Sequence, residues 1–390
     1  MGVKNAIVVG AGIGGLTAAV ALARRGVAVT VLEQAAAIRE VGAGLQISPN
    51  GTCVLRALGL EQHLLERGAI RGRAVVMRAH DAAHDLVRLD LTTLPPEQRY
   101  YFMHRADLVD VLARAAREHN VSFEFGVRVE SVAPGDPPQL TLEDGSRRRA
   151  ELIVGADGIH SRARLVLNGV DDGFFTGQVA WRATVPNSMG HGDHAMVTMG
   201  PGRHLVSYPL RGGALVNLVA VEERTTWAAE GWTHADDPAH LRAAFAGWGG
   251  IAGDMIGAVE VPTLWGLHRH PVAPVWHQGG VALLGDAAHP TLPFLAQGAN
   301  MALEDAWALT DAVLHGGVAA LAGYEAARKP RVSRVIKAAE GNAWRFHLSP
   351  GLVRFAAHTG LRLAGRFAPG LMLGAFDWLY AYDVTASASH

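Results

Sequence analysis

The stretch NAIVVGAGIGGLTAAVALARRGVAVTVLE, residues 5–33, constrains this chain more tightly than any other. NAIVVGA has the continuous apolar character of a strand buried on both faces, GLTAAVALARRG reads as a helix ended by Gly26, and VAVTVLE reads as a second strand. Two strands joined through a helix are parallel, so the segment is a βαβ unit. Gly10, Gly12 and Gly15 form G-x-G-x-x-G between the first strand and the helix. The first permits the turn, the second lets a pyrophosphate approach the backbone, and the third allows close helix–strand packing. Glu33 closes the second strand, where a carboxylate can accept hydrogen bonds from ribose hydroxyls. The motif in this context implies a dinucleotide and leaves NAD and FAD open, with a plain NAD dehydrogenase as the main rival. Residues 6–23 carry no charge and are long enough to suggest a membrane span. The glycine cluster and the strand that follows argue for a buried unit instead.

Downstream, EVGAGLQIS reads as a glycine-rich loop, and Asn50 as the cap of a short helix carrying Val54, Leu55 and Leu58 on one face. RADLVDVLARAAREH, 105–119, is an amphipathic helix feeding the strands VSFEF and VRVESVA. QLTLEDGSRRRAELIVGADG reads as two strands joined by an Asp144-Gly145 turn. From 175 to 265 the helical period fades, and QVAWRATV, RHLVSYPL and ALVNLVAV predict an inserted antiparallel sheet. GDPPQ and MGHGDH read as exposed loops. The α/β pattern returns at GVALLGDAAHP, 280–290, before the long helix GANMALEDAWALTDAVLH. The expected division is a discontinuous dinucleotide domain over 1–70, 100–174 and 276–340, a second domain over 71–99 and 175–275, and a C-terminal helical segment over 341–390.

Composition narrows the class. With 49% apolar and 18% charged residues and a net charge of −1, the chain reads as a soluble globular protein, and its scattered Lys and Arg argue against a nucleic-acid partner. The single cysteine, Cys53, excludes an internal disulfide and fits a reducing cytoplasm, where it reads as a packed thiol. The segment from 350 to 380 is interrupted by Arg354, His358, Arg362 and Arg366, so no transmembrane segment is expected.

LIVGADGIHSRAR, 152–164, and VALLGDAAHP, 281–290, each set an aspartate, Asp157 and Asp286, in a glycine turn after an apolar strand. Singly, either could be structural. Together with HRADL at 104–108 and PFLAQGANMALEDA at 293–306, they resemble in order and spacing the single-component FAD-dependent aromatic hydroxylases of the para-hydroxybenzoate hydroxylase type. The resemblance implies an α/β fold with a Rossmann-like FAD-binding domain, an inserted antiparallel-sheet substrate domain and a C-terminal helical segment. It implies FAD as cofactor, with Arg105 touching it, Asp157 serving both FAD and the nicotinamide, and Asp286 holding the ribityl chain. Helix 298–314 would turn the backbone N–H groups of Gly298, Ala299 and Asn300 toward the flavin pyrimidine edge, where reduced flavin is negative. NADH or NADPH would be a transient reductant, O2 would add to the reduced flavin as a hydroperoxide, and related hydroxylases suggest a homodimer. A dehydrogenase leaves the Asp286 turn unexplained. A non-hydroxylating flavoprotein or flavin-based sensor would differ in one observation: added phenolic acid would not accelerate NAD(P)H oxidation.

In RHLVSYPL, His204, Val206 and Tyr208 share one strand face, which is either packed core or the wall of a ligand site. Within the family this stretch resembles 3-hydroxybenzoate 6-hydroxylase and, slightly less, 6-hydroxynicotinate 3-monooxygenase, with salicylate hydroxylases (salicylate 1-monooxygenase) similar over the rest of the chain. That likeness implies a small phenolic or N-heteroaromatic acid as substrate, His204 as the base at its hydroxyl and Tyr208 as the hydrogen-bonding companion of His204, although about 13 Å of extended strand separates their α-carbons. It also carries Gln46, Tyr100 and Gln297 over as substrate-pocket residues, each with a packing or surface role as the other reading. Arg182 in AWRATV is a candidate carboxylate anchor only by being a charge in a strand and reads rather as a rim salt bridge, and His289 reads as structural or adjacent to the cofactor. HRH at 268–270 lacks ligand spacing, so no metal is expected. The arginine-dotted apolar pattern at the C-terminus reads as packing within the protein or across a dimer.

Overall fold

The computed structural model describes residues 2–38, 43–82, 84–171, 173–226 and 234–386, the side chains of 342–344 apart. One sheet has six strands in the order His277–Gln278, Val281–Leu283, Leu152–Gly155, Asn5–Val9, Ala28–Glu33 and Ser122–Phe125. All neighbours run parallel except the first pair. The crossover helix Ile13–Ala23 is buried from Ile13 to Leu22, as a helix apolar all round must be. It packs against the helices Arg105–Glu118 and Gly298–Gly316. Among the described residues no helix is long and apolar enough to cross a membrane.

The second sheet has seven strands, ordered Thr263–Arg269, Phe174–Pro186, Leu215–Glu223, Arg203–Leu210, His194–Gly200, Ala74–Ala79 and Asp85–Asp90. Its pairs are antiparallel except Ala74–Ala79 beside His194–Gly200. Strand alternation sorts the two faces. Trp181, Leu205, Leu218 and Ala220 form a core with Leu241, Met255 and Ile256 of the helices Pro238–Ala244 and Gly250–Gly257. The opposite face carries His204, Val206 and Tyr208 and looks toward the first sheet.

Four local expectations are corrected. Gly44–Ile47, expected as loop, is a strand paired with Tyr101–His104, while residues 39–42 of that segment lie outside the described residues. Asn50 does not cap its helix: Pro49 takes the first helical position and Ser48 stands at the N-cap. The run 139–155 forms three strands, because Gln139–Leu142 and Arg147–Arg149 close a hairpin in a small separate sheet and only Leu152–Gly155 joins the parallel one. In the loop expected to be exposed, His191 is buried, with its Nε2 2.9 Å from Ser207 Oγ.

The C-terminal helices Leu352–Phe367, Pro369–Gly374 and Asp377–Tyr380 fold back over the molecule. Leu373 and Leu379 are buried, whereas Leu352, Phe355, Phe367 and Leu371 remain exposed.

Candidate active site

A cavity of about 340 Å³ lies between the two sheets. At one end is the glycine turn, where the three glycines have distinct steric reasons. A Cβ on Gly10, whose φ is +101°, would meet the Ala156 carbonyl oxygen at 2.5 Å, and one on Gly15 would meet the Gly10 carbonyl oxygen at 2.1 Å. Gly12 has nothing within 4 Å and faces open space. The Glu33 carboxylate accepts the backbone N–H groups of Ala11 and Ala35, both at 2.8 Å, so it fastens the turn to the end of the second strand.

Arg105, Asp286, Gly298 and Ala299 line the same end of the cavity. Burial raises the Asp286 carboxyl above its ordinary value, against the opposing pull of the Arg105 guanidinium. Asp157 Oδ2 accepts from the Arg162 N–H at 2.8 Å, while its buried Oδ1 has no hydrogen-bond partner. Burial raises this carboxyl too. Asn300 is fully buried: its Oδ1 accepts from Ser48 N–H at 3.0 Å, and its Nδ2 donates to the Gln46 and Ala296 carbonyls. Open space before Gly12 and a helix N-terminus on the cavity fit FAD, an anionic dinucleotide with a ring that becomes negative on reduction.

A buried ionic network holds this end in place. Arg328 bridges Glu304 at 2.6 Å and Asp305 at 2.8 Å, and all three side chains are fully buried. Asp305 also accepts from the Gly285 N–H at 3.0 Å and meets His289 Nε2, which fixes the Asp286 turn against the helix Gly298–Gly316. Burial alone would raise Asp305, but His289 and Arg328 hold it down at about 2. Asn50 donates to Glu304 at 2.6 Å and to Gln297 Oε1 at 3.0 Å, and Gln297 donates to Ser48 Oγ at 3.0 Å. Gln297 thus borders the cavity with its amide engaged inward. The one sequence signal for this network was two carboxylates inside the apolar run MALEDAWAL.

At the other end the sheet register builds the wall. Trp265, Ala180, Val221, His204 and Met199 form one row across the strands, and Arg182, Val219, Val206 and Val197 form the next on the same face. The α-carbons of His204 and Arg182 are therefore about 12 Å apart, with both side chains lining the cavity. Arg182 is a wall residue rather than a rim charge; its guanidinium lies 4.6 Å over the Trp265 ring centroid, and burial lowers its pKa to about 10, which leaves it cationic at neutral pH. Tyr208 stacks on Phe102 at 5.5 Å, and burial raises its hydroxyl while Arg182 opposes the rise. Tyr100 donates its hydroxyl to Gln46 Oε1 at 2.8 Å, and both border the cavity.

The hydrogen bond expected between His204 and Tyr208 is not made. His204 Nδ1 instead lies 2.7 Å from His347 Nε2, and His347 Nδ1 lies 2.7 Å from Glu223 Oε1. Burial, and then His347, lower His204 well below the ordinary histidine value, so it is neutral at pH 7. His347 follows a helix more than a hundred residues away in sequence, and no local signal pointed to it. Leu373, Phe376 and Tyr380 of the C-terminal segment also line the cavity. Cys53 stands apart from this chemistry, its thiol pushed up to about 12 by burial.

Residues 4–339 match the FAD binding domain family. The chain is 35% identical to the 3-amino-4-hydroxybenzoate 2-monooxygenase PtnB3 of Streptomyces platensis, over 98% of this chain and 97% of that protein. It is 33% identical to the 3-hydroxybenzoate 6-hydroxylase of Polaromonas naphthalenivorans (strain CJ2), over 97% and 96%. The solved structure of Klebsiella pneumoniae HpxO complexed with FAD and uric acid superposes with a TM-score of 0.84 at 28% identity, covering 96% of this chain and 97% of that one. With its glycine turns, buried aspartates and aromatic-lined cavity, the chain belongs to the FAD-binding-domain family and is an FAD-dependent aromatic monooxygenase.

Proposed function

We propose that this protein hydroxylates a small benzoate carrying a ring hydroxyl, using NAD(P)H and O2. One observation carries the reading: a neutral imidazole, His204, and a cation, Arg182, stand in adjacent rows of one sheet face and line a cavity whose far end is the dinucleotide turn. Gly10, Gly12, Gly15, Glu33, Arg105, Asp157, Asp286 and the first turn of the helix from Gly298 would hold FAD. Bound FAD supplies hydride acceptance from NAD(P)H and transfer of one oxygen atom of O2 to the ring.

The chain's own residues prepare the ring. Arg182 binds the carboxylate through charge-assisted hydrogen bonds. His204 takes the hydroxyl proton, because electrophilic oxygen transfer is easier to a phenolate than to a phenol. Val197, Val206, Val219 and Val221 keep water from the reacting face, and Tyr208 flanks the ring with Gln46 and Tyr100 as polar contacts. The acids in the relatives' names, 3-hydroxybenzoate and 3-amino-4-hydroxybenzoate, are the substrates we propose first.

A panel of 3-hydroxybenzoate, 3-amino-4-hydroxybenzoate, salicylate and 6-hydroxynicotinate tests this, with NAD(P)H consumption, peroxide release and product mass scored together. We expect an oxygenated product, gaining one oxygen atom, from at least one of the first two acids. Peroxide with no oxygenated product from either would contradict the substrate class.

A further inference from the structure

We propose that Glu223 and His347 set the tautomer of His204 and carry the substrate's hydroxyl proton from the cavity to the surface. This rests on the reading of His204 as the base. The three side chains form one unbranched line, from His204 lining the cavity through His347 Nε2 and Nδ1 to Glu223 Oε1, with both contacts at 2.7 Å. His204 and His347 are 2% and 6% exposed, whereas the Glu223 side chain is 53% exposed. The line therefore runs from the interior to water.

Hydrogen-bond chemistry fixes its polarity. An ionised carboxylate only accepts, so the Glu223 contact requires the proton on His347 Nδ1. His347 Nε2 is then an acceptor, and His204 Nδ1 must be the donor to it. His204 Nε2 is left with a lone pair. A surface carboxylate thus selects, through two rings, the tautomer in which the buried histidine can accept a proton. The rings are held in place: Phe294 and Phe346 flank His204 at 5.9 and 5.2 Å, and the His347 carbonyl accepts from the Gly202 N–H at 3.1 Å. The other charges nearby are Arg203, whose field opposes protonation of His347, and Glu222, which pairs with Arg203 and Arg224.

The transfer balances. The O–H bond of the substrate breaks and a bond forms to His204 Nε2; His204 gives its Nδ1 proton to His347 Nε2; His347 gives its Nδ1 proton to Glu223, which exchanges with water. Each ring then carries its proton on Nε2, and reprotonation of the product along the same path restores the starting tautomers. Glu223 and His347 are positioning residues, since neither touches substrate.

The test uses the oxidised FAD-loaded protein without NAD(P)H and 3-hydroxy-4-nitrobenzoate as probe, whose phenolate absorbs visible light. Stopped-flow absorbance reads phenolate formation after binding, and flavin absorbance reads cofactor content. We expect Glu223→Gln and His347→Phe each to slow phenolate formation by about 10- to 100-fold, less than the roughly 10²–10⁴ for loss of the base itself, with flavin content and probe affinity little changed, and Glu223→Asp to recover most of the rate. Wild-type rates in both variants, with formation abolished by His204→Ala, would overturn the relay and leave His204 as base. Phenolate formation that does not depend on His204, or a probe that does not bind the unmodified protein, would overturn the underlying reading and the relay with it.

Discussion

The Gly44 N–H donates to the Asn217 side-chain oxygen at 2.6 Å, and this contact presses the strand Gly44–Ile47 onto the sheet that carries Tyr208. A Cβ at Gly44 would meet Tyr208 Cε2 at 2.7 Å and Asn217 Cβ at 2.8 Å. Gly44→Ala therefore forces the two sides of the cavity apart. Overpacking of this kind costs about 1–3 kcal/mol. We expect a stability loss of that size in denaturant unfolding, together with more peroxide released per NAD(P)H consumed as water reaches the site.

Arg182 supplies the cation of the cavity wall. If it binds the substrate carboxylate, Arg182→Gln removes a charge-assisted contact of about 1.5–3 kcal/mol, which is about 10- to 100-fold in affinity. KM for a hydroxybenzoate should rise by that factor while kcat changes little, and a phenol without a carboxylate should lose nothing. Steady-state kinetics on the two substrates separates these cases. A KM that does not move would remove Arg182 from substrate binding.

Breaking the Arg328–Asp305 pair leaves a fully buried charge short of a partner. Asp305→Asn should cost about 3–5 kcal/mol at pH 7 and lower the flavin content of the purified protein, because Asp305 also holds the Gly285 N–H beside Asp286. The pH dependence has a definite sign. Asp305 titrates at about 2 in the folded protein, below the roughly 3.9 of an unfolded aspartate. Its contribution is thus complete above about pH 4 and is lost as pH falls toward 2. The stability gap between wild type and Asp305→Asn should narrow over that window in denaturant melts.

The first βαβ unit and the inserted sheet were legible because each follows from local chemistry: an uncharged run broken by glycines, then strands of period two. The helix Gly298–Gly316 was legible for the same reason. What escaped were arrangements set by tertiary packing. Gly44 looked like a loop glycine, yet it serves a close approach between strands that only the assembled fold reveals. Arg182 looked like a rim charge, because a strand residue cannot be assigned to cavity or solvent until its neighbours across the ladder are known. His204 was singled out by its shared face with Val206 and Tyr208, but its bonded partner came from residue 347, and no spacing along the chain encodes that meeting. Asn50 kept its polar character in the reading but changed partners in the structure, from helix cap to the side chains of Gln297 and Glu304.

The account stands most directly on His204, and His204→Ala tests it. The FAD-loaded variant should keep its flavin, while hydroxylated product per unit time falls by about two to four orders of magnitude, the range for loss of a general base. Because burial keeps His204 neutral well below pH 6.5, the wild-type rate should show no loss from its protonation between pH 6.5 and 8. Product formation in His204→Ala at the wild-type rate, with NAD(P)H use still coupled to oxygenation, would contradict the assignment of His204 as the base.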